Sequence, residues 1–205
     1  MTAHHDRTAA RALLRSQLRL RRDALPPQQR AAAAAAITRN IAAMPWLAGG
    51  RNIGLYVARS PEVDTASLRG LARRRRCHVF LPRILDYRAH RLAYCRERGP
   101  LVRLNRYGIA EPDTAETVGA RWLSVAFLPL LGFDPAGTRL GTGSGYFDRL
   151  LAFRRHRRAW QRPLLVGIGY RCQQLPVIER SAHDVPLDAV ATEDGIEFFM
   201  STPAA

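Results

Sequence analysis

The chain contains no lysine, so all 32 of its Lys and Arg positions are arginine, and a Walker-type phosphate loop, which needs a lysine, is excluded. Cysteine is scarce. Cys77, Cys95 and Cys172 are widely spaced, odd in number and without a C-x-x-C pair, so neither a disulfide framework nor a zinc ribbon is suggested. They read as free thiols in a reducing cytoplasm. No apolar run approaches the roughly 18 residues of a membrane span. His4, His5, Asp6 and Arg7 precede no apolar core of signal-peptide length. The expected location is the cytoplasm, with no membrane partner, and no internal repeat is visible.

What is present suits one folded unit. A length of 205 residues, 47% hydrophobic and 24% charged, fits a single domain with a full core. Residues 1–7 and 201–205 are expected to be flexible termini. Against 17 acidic residues the arginines give a formal charge of +15 and a pI near 11.3. Such an excess attracts polyanions: nucleic acid, an anionic membrane surface, or a phosphorylated or polyglutamylated substrate. Charge alone does not choose among them.

The most informative stretch runs from Phe127 to Leu151, FLPLLGFDPAGTRLGTGSGYFDRLL. Its apolar start (Val125 to Leu128) reads as a buried strand that passes through Pro129, Gly132, Pro135 and Gly137 into a loop. The loop ends in Gly141-Thr142-Gly143-Ser144-Gly145, followed by Tyr146, Leu150, Leu151 and Phe153 at helical spacing. Alternating glycines let backbone N–H groups turn inward, and a helix start adds unpaired donors, a combination that favours phosphate. Arg139 can fork onto phosphate oxygens, and Asp148 can hold a nucleotide's Mg²⁺. A dinucleotide fingerprint would need glycine where Tyr146 stands. Spacing alone therefore leaves open an ordinary turn or an anion site with an unnamed ligand.

Along the chain, helices are expected over Thr8 to Leu25, stopped by Pro26 and Pro27, and over Gln28 to Met44, ended by Pro45. Strands are expected at Ile53 to Val57, Cys77 to Pro82, Leu92 to Cys95 and Leu164 to Tyr170, with a helix from about Asp64 to Arg75. This alternation predicts an α/β domain with a largely parallel sheet. Arg73 to Arg76 and the Arg154 to Arg158 cluster read as solvated faces. His78 and His90 lack metal-ligand spacing. Adjacent His183 and Asp184 cannot form a catalytic dyad in an extended segment.

The ordered pattern LPLLGFD-x-x-G-x-RLG-x-G-x-GYFDR resembles the signature of the 5-formyltetrahydrofolate cyclo-ligase family, also called methenyltetrahydrofolate synthetases. The resemblance implies a single three-layer, Rossmann-like α/β domain of the NagB, RpiA and CoA-transferase kind with N-terminal helices. It also implies an ATP- and Mg²⁺-dependent cyclisation of 5-formyltetrahydrofolate to 5,10-methenyltetrahydrofolate with release of ADP and phosphate. Carried over residue by residue, ATP would be held by Arg11, Arg15, Arg139, Leu140, Gly141, Thr142, Gly143, Ser144, Gly145, Tyr146 and Phe147. The folate would meet Val57, Glu62, Tyr107 and Tyr146. Arg139 and Asp148 would be the catalytic pair, and Asp148 with Asp188 the metal ligands. Thr142 and Ser144 stand where some members are basic, Phe147 where a tyrosine is frequent, and Ala110 where a proline is usual. A monomer is expected, with a possibly polyglutamylated folate as substrate and no specific nucleic acid. Two other classes fit the residues less fully: a basic RNA- or nucleoid-associated protein, and an α/β isomerase or acyl-transferase-like enzyme acting on another anion.

Overall fold

The computed structural model describes residues 2–101, 103–114, 116–155 and 162–199. Two helices come first, α1 (Thr2–Asp23) and α2 (Pro27–Ala42), separated by a turn at Pro26 whose extended backbone ends one helix and starts the next. Then follow β1 (Asn52–Gly54), α3 (Ala66–Arg74), the long hairpin β2 (His78–Asp86) and β3 (Arg91–Arg96), and the short strands β4 (Arg103–Leu104), β5 (Ala110–Glu111) and β6 (Thr117–Val118). The second half contains β7 (Val125–Pro129), β8 (Gly132–Phe133), β9 (Arg139–Leu140), α4 (Tyr146–Leu150), β10 (Leu164–Ile168), β11 (Ala189–Thr192) and β12 (Gly195–Phe198).

Eight of these strands form one sheet in the order β12-β11-β10-β7-β1-β2-β3-β6. The five from β11 to β2 are mutually parallel, whereas β12 at one edge and β3 at the other run against them, and the outermost β6 pairs antiparallel with β3. Parallel strands are covered on both faces, so they read as continuous apolar runs rather than alternating ones. Alternate residues of those runs feed two separate cores. Ile53, Val79, Leu81, Val125, Phe127, Val166 and Ile168 face α2 and α3. Phe80, Ala126, Leu128, Leu165 and Val190 face Leu151, Phe147 and Phe153 on the other side. The result is the expected three-layer α/β domain.

Three local differences have physical causes. The helix after the glycine loop cannot begin before Gly145, which holds a left-handed φ of 68°, and after a single turn the backbone leaves helical geometry at Leu151 (φ −101°, ψ 7°) and continues as a 3₁₀ turn over Ala152–Arg154. No strand is expected between Cys95 and Val125, yet the chain there pairs its backbone in β4, β5 and β6, since even a polar segment must satisfy its N–H and C=O groups. The edge strand β12 was masked in the sequence by its tight connection to β11 through Thr192 to Gly195. Residues 156–158 of the Arg154 to Arg158 cluster and the terminus 201–205 lie outside the described residues. Among the described residues no helix is long and apolar enough to cross a membrane.

Candidate active site

Counted in chain order, the parallel strands lie 2-1-3-4-5, so the order reverses between β1 and β7. In open α/β sheets the crevice beyond the carboxyl ends of strands at such a switch point is where ligands bind. Here that crevice is a cleft of about 1240 Å³ walled by the segments that leave β1 (Val57, Glu62) and β7 (Pro129, Leu130), by one face of α1, and by the glycine loop. A drug-sized ligand needs roughly 300–1000 Å³. The cleft therefore has room for two ligands side by side.

One wall is strongly basic. Leu14 and Leu18 anchor α1 on Leu131, Leu140, Leu175 and Ile178, and helical spacing turns Arg11, Arg15, Arg19 and Arg22 toward the cleft. Arg15 Nε donates to the Gly141 carbonyl at 3.1 Å, Arg19 to the Thr142 carbonyl at 3.4 Å and Arg149 to the Ser144 carbonyl at 2.8 Å. The loop carbonyls are thus tied to arginines. By contrast, among the described residues none of the N–H groups of Gly141, Thr142, Gly143, Ser144 and Gly145 meets a protein acceptor. Gly143 and Gly145 hold φ of 116° and 68°, which a side chain would resist. Burial, then the charges of Arg11 and Arg19, lower the Arg15 pKa, the mark of a cationic cluster short of anions. Arg11 is paired with Asp184 at 2.9 Å, fastening α1 to the 181–184 loop. In all, nine arginines and five carboxylates line the cleft.

Arg139 and Asp148 are brought together. Arg139 Nη2 lies 2.7 Å from Asp148 Oδ1, with the guanidinium almost fully buried and its Nη1 donating to the Pro129 carbonyl. Arg139 therefore orients Asp148 rather than lying open to solvent, and Asp148 Oδ2 is left for another partner. Two expected site residues lie elsewhere. Leu140 is fully buried in the small core beneath α1 and places no side chain on the cleft wall. Asp188 precedes β11 and bonds Leu165 near the start of β10, at the amino ends of the parallel strands. Strands advance about 3.3 Å per residue, so the five residues of β10 put Asp188 roughly 15 Å from the carboxyl-end cleft. Its carboxylate is held by Arg154 at 2.8 Å and by the Leu165 N–H at 2.7 Å, and burial raises its pKa. The expectation of a shared Asp148–Asp188 metal site is corrected on that ground.

The same cleft carries the expected folate residues. Glu62 accepts the Arg59 N–H at 2.9 Å, and burial pushes its carboxyl above the ordinary range. Val57 and Phe147 line the same space. Tyr146, at the start of α4, is buried, and desolvation and then the neighbouring Tyr107 phenol raise its pKa. Tyr107 lies at the rim, bonded through its hydroxyl to Arg106 at 2.7 Å, which draws its pKa down. Sequence reading passed over Arg19 and Arg149 as bonding partners of the loop, and over Glu111 and Asn105 at the far end of the cleft. Helical spacing from Arg11 and Arg15 already pointed to Arg19; the other three become neighbours only through tertiary folding.

The residues present fit a nucleotide's phosphates, since the five loop residues line a basic cleft and, among the described residues, their N–H groups meet no protein acceptor. For a metal, the described residues hold no cluster of three or more His, Cys, Asp or Glu suited to it. Mg²⁺ usually needs only one or two carboxylates besides the phosphates it bridges, which Asp148 can provide.

The family model of the 5-formyltetrahydrofolate cyclo-ligase family matches residues 7–193. A 5-formyltetrahydrofolate cyclo-ligase of Haemophilus influenzae is 29% identical over 185 residues, 88% of this chain and 96% of its own. One from Escherichia coli is 30% identical over 179 residues, 85% and 96% of the two chains. The solved structure of Aquifex aeolicus 5,10-methenyltetrahydrofolate synthetase superposes with a TM-score of 0.79 at 25% identity, covering 95% of both chains.

Proposed function

The chain belongs to the 5-formyltetrahydrofolate cyclo-ligase family, and from that premise we propose that it closes 5-formyltetrahydrofolate to 5,10-methenyltetrahydrofolate, using ATP with Mg²⁺ and releasing ADP and phosphate. The observation that carries this reading is the glycine loop, whose residues line a basic cleft large enough for two ligands and whose N–H groups meet no acceptor among the described residues. We assign the folate, with or without a polyglutamate tail, to the side of Val57, Glu62, Tyr107 and Tyr146, and the setting to a monomer in the cytoplasm with no specific nucleic-acid partner.

A formyl oxygen is a poor leaving group at neutral pH. ATP supplies the phosphoryl group that converts it into a good one. The formyl oxygen takes that group, N10 of the folate adds to the activated carbon and gives up its proton, and departure of the oxygen as phosphate leaves the methenyl bridge. The protein needs no nucleophile; its work is alignment and charge neutralisation, as in phosphoryl transfer generally. The loop N–H groups, Arg15 and Arg11 hold phosphate oxygens. Asp148, oriented by Arg139, holds Mg²⁺. Glu62 and Tyr146 keep the folate against the phosphate-binding wall.

The test mixes the protein with 5-formyltetrahydrofolate and Mg²⁺, with and without ATP, and follows absorbance of the methenyl product. Growth of the signal only with ATP, with ADP formed in equal amount, is the expected result. No signal from folded protein would overturn the proposal.

A further inference from the structure

At the end of the cleft away from the phosphate-binding wall, β2, β3 and the 105–111 segment enclose a slot with apolar sides formed by Pro82, Ile84, Leu92 and Ile109. At its base lies Glu111, a carboxylate only 3% exposed. Its Oε1 accepts two hydrogen bonds, from the Ile84 N–H at 3.0 Å and from Asn105 Nδ2 at 2.9 Å. Asn105 cannot turn its amide over, because its Oδ1 is occupied by the N–H groups of Tyr107 and Ile109 at 2.9 and 3.1 Å. Glu111 is therefore fixed through one oxygen, and Oε2 meets no protein donor. That oxygen is not sealed from the cleft, so a ligand that brings donors to it takes the place of water on an acceptor the fold already holds fixed.

We propose that Glu111 is a specificity-determining residue that accepts the donor edge of the folate's pterin ring, a deepening that rests on the function proposed above. The 2-amino-4-oxo ring is flat, matching a slot with aliphatic sides. Its N3–H and 2-amino group form two adjacent donors, and an anionic acceptor is the complement of such an edge. Seating that end of the ring on Glu111 directs N5 and its formyl group back toward Tyr146 and the glycine loop.

The experiment compares 5-formyltetrahydrofolate with its 2-desamino analogue in the complete enzyme, for the parent, Glu111→Gln and Glu111→Ala. The parent is expected to prefer the amino substrate by about 10- to 100-fold in kcat/KM, the worth of a hydrogen bond to a charged group. In Glu111→Gln the side-chain oxygen must stay on Ile84 and Asn105, so its NH₂ faces the ring's donors and the preference collapses toward unity while KM for ATP stays as in the parent. Glu111→Ala loses the same preference, whatever it does to stability. If a variant is less active but keeps the parent's preference, Glu111 is only a brace between β2 and the 105–111 segment and the inference falls. A parent that turns over the amino substrate without preferring it also overturns the inference alone. A parent that turns over neither overturns the function on which it rests.

Discussion

Glu62 is held at a disadvantage in the unliganded fold, because burial raises its carboxyl pKa by more than the Arg59 N–H and the charges of Arg22 and Arg59 lower it. The folded chain then binds this proton more tightly than the unfolded chain. Its contribution to stability is most favourable below the ordinary value of 4.5 and declines as pH rises through that value toward the raised one. Glu62→Gln keeps an acceptor for Arg59 and removes the charge. Thermal melts at pH 7.5 are expected to place this variant about 2–4 °C above the parent, with the gap closing toward pH 4.5, while KM for the folate rises. A gap that does not change with pH would contradict the assignment. The two aspartates separate in the same manner. Asp188→Ala removes a partner of Arg154 and the acceptor of the Leu165 N–H, so it is expected to lose roughly 1–3 kcal/mol in denaturant titration and leave the Mg²⁺ dependence of turnover unchanged. Asp148→Asn is expected to shift that dependence to higher Mg²⁺ and lower kcat by at least about tenfold, the usual scale for a displaced metal ligand or its support. In the sequence both residues look alike, each an acid beside an apolar run. Only the direction of the strands reveals that Asp148 is at the carboxyl end of the sheet and Asp188 at the amino end.

At the scale of the element, the glycine loop works because its two backbone edges have different partners. Arg15, Arg19 and Arg149 take its carbonyls, and its N–H groups are left for a ligand. The single turn of α4 adds little dipole, so the loop backbone and the α1 arginines supply the anion affinity that a longer helix would share. Gly143 is exposed and holds φ at 116°, where alanine is strained. Gly143→Ala is expected to raise KM for ATP by about tenfold or more through distortion of the donor row, strain of this kind costing about 1–3 kcal/mol. Steady-state kinetics with each substrate varied in turn should show KM for the folate little changed. An unaltered KM for ATP would remove the loop from nucleotide binding. The loop itself was legible from glycine spacing and the motif around it. What spacing could not show was that Arg15 and Arg19 of α1, more than a hundred residues earlier in the chain, meet the loop's carbonyls.

For the whole molecule, apolar runs and turn residues made most of the parallel core readable, since β1, β2, β7 and β10 each leave a run that neither alternates nor reaches helical length, whereas the four residues of β11 are too short a run to stand out. The antiparallel edges were harder, being short, half-exposed and dominated by backbone pairing. The net charge of +15 has a local expression in the cleft, where nine arginines outnumber five carboxylates. Both proposed ligands are anionic, so KM for each is expected to rise between low salt and about 0.15 M, where the Debye length falls to about 8 Å, with kcat nearly constant. A salt-independent KM would show that the charge serves something other than capture of these ligands. The central claim, that the cleft joins a nucleotide to a folate so that the formyl oxygen leaves on phosphate, is tested most directly by placing heavy oxygen in the formyl group and analysing the released phosphate by mass spectrometry. The account predicts one heavy oxygen in each phosphate formed with the methenyl product. Phosphate that carries none, with the label recovered in water, would contradict it.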